Sequence, residues 1–163
     1  MIKKLLSAVA IAGSLAIAPA HASTEASLDL IDVVDDHVLV QYDTRECDGT
    51  FYGYYDRYNN KMLLCLDGNS RQENRDTLRH EVWHIVQHCI SPTRGALRPV
   101  FNNPKDFHNY VLSKADATQV FEIMQMYPVE DHRVEIEAAT MATILTPEKV
   151  QDFFVQACLK PRP

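Results

Sequence analysis

His80-Glu81-Val82-Trp83-His84 sets two imidazoles four residues apart, with a carboxylate directly after the first. On a helix, residues i and i+4 share a face about one turn apart, so both ring nitrogens can reach one tetrahedral Zn2+ at about 2.1 Å. Glu81, one step further round the helix, projects beside the metal rather than onto it. It is then placed to take a proton from a zinc-bound water attacking a carbonyl, and to pass that proton to the leaving amine. The flanking residues support such a helix. At 100° per residue Leu78, Val82, Ile85 and Cys89 cluster within about 60°, whereas His80 and His84 fall roughly 200° to 240° from Leu78, so one face can meet a core and another a cleft.

Zinc of this kind needs a third protein ligand and an open fourth position. His88 lies one further turn along, but three histidines in straight succession on one helix cannot surround a tetrahedral ion, and His88 is expected to flank the site. Val134–Ala142 carries two carboxylates on a segment of helical pattern. Glu135 shares its face with Ala138, Ala139 and Ala142, and Glu137 shares its own with Met141 and Ile144. Only the alanine face lets two helix axes approach closely enough for a short carboxylate to meet the metal. Glu135 is therefore the expected ligand, with Glu137 the alternative and two solvated helix charges the plainest reading. Electrophilic help to an oxyanion would come from a His, Tyr or Arg. His132, on the Glu135 face one turn earlier, is the first candidate; His108, Tyr110 and Tyr127 follow.

These residues need elements to hold them. Leu28–Tyr42 runs apolar through Val33, Val34, Val38, Leu39 and Val40, which suits one or two strands. A tyrosine-rich strand follows over Phe51–Tyr58, and Asn59-Asn60 suits a tight turn into a third strand, Lys61–Leu66. The tyrosines read as strand packing. From about Gln72 the period becomes helical and ends before Pro92. A loop with Pro92, Gly95, Pro99 and Pro104 follows, then helical pattern broken at Pro128 and restarted at Thr146-Pro147-Glu148. The expected fold is α+β: a small antiparallel sheet of about three strands, the histidine-bearing helix, and a mostly helical C-terminal half.

The motif and its downstream partner resemble those of the gluzincins, zinc peptidases in which a Glu on a second helix completes the His-Glu-x-x-His site. Glu135-Ile136-Glu137-Ala138-Ala139 is similar to the Glu-x-x-Ala-Asp or Glu-x-x-Ala-Asn segment of the minigluzincin, integral-membrane heat-shock protease and ImmA/IrrE-type families. The resemblance implies a zincin-like fold and gives Glu135 the ligand role. It leaves Ala139 where those families often place Asp or Asn, removing a partner that would steady a ligand histidine; Asp131 is a candidate replacement. It also implies that the strand before the active helix, here Lys61–Leu66, lies at a sheet edge and pairs with an extended substrate. The resemblance covers Lys61–Cys89 and Asp131–Pro147.

Lys3 and Lys4 precede an apolar run from Leu5 to Ala18, and Ala18-Pro19-Ala20-His21-Ala22 offers small-x-small cleavage sites. Residues 1–22 thus read as a secretory signal peptide and 23–163 as one domain. Without Lys3 and Lys4 the 16 basic residues become 14 against 22 acidic ones, and the net charge moves from −6 to −8. Such a surface disfavours nucleic acid and anionic membrane as partners. Cys47, Cys65, Cys89 and Cys158 lack metal-binding spacing and read as two disulfides. Two-residue turns at Asp48-Gly49 and Asn59-Asn60 would leave Cys47 about 13 Å from Cys65 along the strand, against the roughly 7 Å a disulfide tolerates. That pairing needs a bulge at Gly53 or a looser first turn, and connectivity stays open.

The sequence thus leads to an exported (secreted or periplasmic), monomeric or weakly associated zinc endopeptidase binding one Zn2+ and acting on peptide or protein substrates. The alternatives are a non-catalytic zinc-binding module and a disulfide-stapled protein-binding module with an incidental motif.

Overall fold

The computed structural model describes residues 29–160; the proposed signal peptide lies outside them. The fold is α+β, as the sequence indicates, with a three-stranded sheet against helices. Residues 29–35 form a helix (α1) rather than a strand. Leu30, Val34 and Val38, four apart, are fully or almost fully buried, so the apolar run that looked strand-like serves one helical face and the turn after it.

The sheet comprises β1 (Leu39–Tyr42), β2 (Gly53–Asp56) and β3 (Lys61–Leu64) in the order β1-β3-β2. It is mixed, not antiparallel: β1 runs parallel to β3, and β2 antiparallel. This corrects the expected meander, because the chain leaving β1 passes through an irregular loop before β2 forms on the far side of β3. β3 is therefore central, and the free edge beside the helix belongs to β2. The β2–β3 connection spans Arg57 to Asn60, two residues longer than an Asn59-Asn60 turn. Asp56 Oδ1 accepts from Tyr58 N at 2.9 Å and Asn59 N at 3.1 Å, and Asn60 takes a φ of 51°.

The loose loop before β2 also settles the cysteines. It brings the Cα of Cys47 within 5.5 Å of that of Cys65, and those two are bonded; Cys89 pairs with Cys158. No helix among the described residues is long and apolar enough to cross a membrane. Two disulfides fit an oxidising, extracellular setting.

The central element is α2 (Arg71–Cys89). A reciprocal box caps it: Ser70 Oγ accepts from Glu73 N at 3.2 Å, and Glu73 Oε2 accepts from Ser70 N at 2.7 Å. Leu78, Val82 and Ile85 are buried as their spacing requires, and Trp83 and Val86 are buried too, so α2 is enclosed on nearly every side. Between Leu78 and Gln87 only His80 is half-exposed. The chain continues through a short helical turn α3 (Pro104–Asp106), wide π-type turns over Phe107–Leu112, α4 (Ala117–Met126), α5 (His132–Ile144) and α6 (Pro147–Phe154). Helices α5 and α6 and strand β2 pack directly on α2.

Candidate metal centre

Glu135 comes to the histidines because α5 lies close along α2. Its alanine face permits that approach: Ala138, Ala139 and Ala142 are all buried. The Nε2 atoms of His80 and His84 stand 3.0 Å apart, and Glu135 Oε2 is 3.5 Å from each. Donors bound tetrahedrally at about 2.1 Å lie roughly 3.4 Å from one another. The three side chains are thus grouped as the ligands of one metal ion would be, and could hold one. Glu137, the alternative ligand, points elsewhere. It is fully buried, and its Oε1 accepts from Trp83 Nε1 at 2.9 Å and Val100 N at 2.8 Å.

The tautomer of His84 follows from Gln87. The Gln87 side chain is buried, and its Nε2 donates to the Val134 carbonyl at 3.0 Å, which fixes the amide's orientation. Gln87 Oε1 is then left facing His84 Nδ1 at 2.8 Å, so Nδ1 carries the hydrogen. In the neutral ring the lone pair is on Nε2, the atom that faces His80 and Glu135. Sequence reasoning named Asp131 for this supporting role and missed Gln87, although its i+3 spacing from His84 places it within reach on the same helix. Asp131 instead precedes α5, and its carbonyl accepts from Glu135 N at 3.0 Å.

Without a metal, the cluster's charges hold one another. Burial disfavours the Glu135 carboxylate, but hydrogen bonds from His80 and His84 outweigh it and hold the group well below the usual carboxylate range. Burial likewise opposes the His84 imidazolium, yet Glu135 prevails and lifts its pKa to about 9. Glu81 responds the other way: burial raises its proton affinity, partly offset by the two histidines. Its Oε2 is buried with no hydrogen-bond partner, one of two such side-chain atoms among the described residues. A buried carboxylate oxygen without a partner, beside convergent ligands, is an acceptor whose hydrogen bond the protein itself does not supply.

Two cavities, of 380 and 250 Å³, flank the cluster, and both are lined by Gly53, His80, Glu81, Tyr127 and Glu135. Gly53 lets β2 come this near to α2: a Cβ there would lie 2.8 Å from both the Leu63 carbonyl oxygen and Thr77 Cγ2. Cys65 N donates to Tyr52 O at 2.8 Å, so Tyr52, Tyr54 and Asp56 turn their backbone groups to β3, and Gly53 and Tyr55 turn theirs to the free edge. The expectation that Lys61–Leu66 supplies this edge gives way to β2.

His132 is not brought to the cleft. Its Nε2 lies 2.9 Å from the Tyr127 carbonyl, and it lines neither cavity. Tyr127, a lesser candidate by sequence, stands in the site instead. Pro128 ends α4 there and keeps Tyr127 extended, at φ −108° and ψ 153°. Burial, then the charges of Glu135 and Glu81, push its phenol up to about 12, so the hydroxyl keeps its proton. His108 and Tyr110 also lie outside both cavities, Tyr110 stacking on Phe101. His88 flanks the site as expected, its Nδ1 2.7 Å from the Tyr55 hydroxyl.

Compared with protein families, curated proteins and solved structures, the chain matches none.

Proposed function

We propose that the protein is an exported zinc endopeptidase, holding one Zn2+ on His80, His84 and Glu135. The observation that carries the reading is the convergence of these three donors beside Glu81, whose buried Oε2 is left without a partner. A site serving only stability has no use for that carboxylate. Cavities on both sides of the cluster favour an endopeptidase, since a chain cut internally must extend past the site in both directions.

Zinc held there supplies Lewis acidity and brings the pKa of water at the site toward neutrality. Glu81 takes the proton of the attacking water and delivers it to the leaving amine, a task suited to a carboxylate whose proton affinity burial has raised. The Tyr127 hydroxyl, protonated throughout the working pH range, donates to the oxygen that gains negative charge. Gln87 keeps the His84 lone pair on the ligating nitrogen. The free edge of β2 offers the Gly53 backbone groups to an extended substrate, while the Tyr55 N–H faces Glu81.

The test is hydrolysis of an unfolded protein substrate by the oxidised protein, loaded with zinc or stripped by a chelator. One bound zinc per chain, with cleavage that vanishes on stripping and returns on reloading, is expected. Stoichiometric zinc with no cleavage of any substrate overturns the enzyme; failure to bind zinc overturns the metal site as well.

A further inference from the structure

The larger cavity is built from one face of each of three helices. On α4, Gln119, Glu122, Ile123 and Met126 are spaced i, i+3, i+4 and i+7 and turn the same way. On α5, Ala139, Ala142 and Thr143 extend the Glu135 face, and the seven helical steps from Glu135 to Ala142 carry the cavity roughly 10 Å from the metal ligand. On α2, Asp76 lies one turn before His80. The floor is thus small and mostly apolar, Ile123, Met126 and Phe51 form apolar walls, and no Lys or Arg lines the space. Its charged groups away from the metal cluster are Asp76 and Glu122. Asp76 is already paired with Arg79 and hydrogen-bonded by Gln72 Nε2 at 2.8 Å. Glu122 makes no ion pair or side-chain hydrogen bond among the described residues, and so offers an uncommitted carboxylate to whatever enters.

We infer that this cavity is a side-chain subsite selecting arginine or lysine at one position flanking the cleaved bond, with Glu122 as the residue that determines specificity. A long aliphatic stem buries against Ile123, Met126 and the alanine floor, and the cationic head meets Glu122. An acidic side chain would meet two carboxylates with no cation on the lining. The smaller cavity differs in carrying Arg57 beside Asp56, so the preference belongs to one arm of the cleft.

The inference rests on the proposed peptidase reading, and two measurements keep them apart. Zinc-loaded wild type, Glu122→Gln and Glu122→Arg are given a peptide mixture randomised around the cut, and cleaved positions are read by mass spectrometry. Separately, binding of fluorescent peptides differing only in Arg, Leu or Glu at one position is measured on Glu81→Gln protein with and without Glu122→Gln. Expected are enrichment of Arg or Lys by about tenfold at one flanking position, loss of that enrichment in Glu122→Gln, and a shift toward Asp or Glu in Glu122→Arg. Cleavage without this preference, or a preference unmoved by both substitutions, overturns the subsite and leaves the peptidase standing. Arg-dependent binding that Glu122→Gln abolishes, with no cleavage of any peptide, overturns the peptidase and supports the subsite. Neither cleavage nor Arg-dependent binding overturns both.

Discussion

His84 Nδ1 and Gln87 Oε1 lie 2.8 Å apart in a buried contact whose direction is fixed by the Gln87 bond to the Val134 carbonyl. The amide thus decides which nitrogen of His84 is free to bind metal. Gln87→Leu removes this control and is expected to lower zinc affinity by about ten- to a hundredfold, measured by competition with a chromogenic chelator. It also removes the buried hydrogen bond to the Val134 carbonyl, which keeps its partner within α5, at a cost of about 0.5–1.5 kcal/mol. Gln87→Glu, which keeps an acceptor toward Nδ1, should retain most of the affinity. Equal loss in both variants would show that packing, not tautomer control, is at stake.

Zinc binding should release a proton. In the metal-free protein burial opposes the His84 charge, but Glu135 overcomes it and sets the pKa at about 9. At pH 7 the ring is therefore protonated, and a metal must displace that proton. Apparent zinc affinity should rise about tenfold per pH unit from 7 toward 9 and then level off. Calorimetry in buffers of different ionisation enthalpy reads the released proton directly. Because this folded-state pKa lies above the unfolded value, the pair's contribution to metal-free stability is present in full below about pH 6.5 and is lost as pH rises through about 9.

Glu137 and Glu135 should separate cleanly. Glu135→Gln is expected to lose stoichiometric zinc, and Glu137→Gln to keep it. Burial lifts Glu137 to about 7 against the opposing N–H groups of Trp83 and Val100. Its folded pKa is thus raised, so its stabilising contribution is full below about 4.5 and declines as pH climbs through 7. Wild type should lose on the order of 2 kcal/mol relative to Glu137→Gln between pH 5 and pH 8. Denaturant unfolding at the two pH values measures it, and a constant difference would count against a buried, neutral Glu137.

The proposed reaction gives the developing oxyanion to Tyr127 rather than to His132. Tyr127→Phe should lower kcat on the order of a hundredfold with zinc content unchanged. His132→Ala, which removes only a bond to the Tyr127 carbonyl, should act weakly. The reverse order in steady-state kinetics would return the role to His132.

The histidines, Glu81 and Glu135 were legible in the sequence because one helical period fixes them. Four-residue spacing pairs His80 with His84, and the small residues beside Glu135 mark the face that can approach another helix. Strand order was not legible: Leu30, Val34 and Val38 satisfy helix and strand patterns alike, and nothing local says that β1 joins the far side of β3. The expected edge at Lys61–Leu66 came from the family resemblance, and here that strand is central, with β2 at the edge beside the helix. Tyr127 was underweighted because its place in the cleft depends on how α4 ends at Pro128 and packs on α5. His132 shares the Glu135 face by helical projection, yet its ring turns to the Tyr127 carbonyl and lines neither cavity, a distinction that projection cannot make.

The Glu81 carboxylate, buried and open on one oxygen beside the three donors, is the point on which a hydrolytic function turns. The decisive measurement compares wild type with Glu81→Gln, determining bound zinc and cleavage of an unfolded protein in the same samples. Expected is one zinc per chain in both proteins, with activity lower on the order of a thousandfold in the variant. Undiminished cleavage by a zinc-loaded, folded Glu81→Gln protein would contradict it.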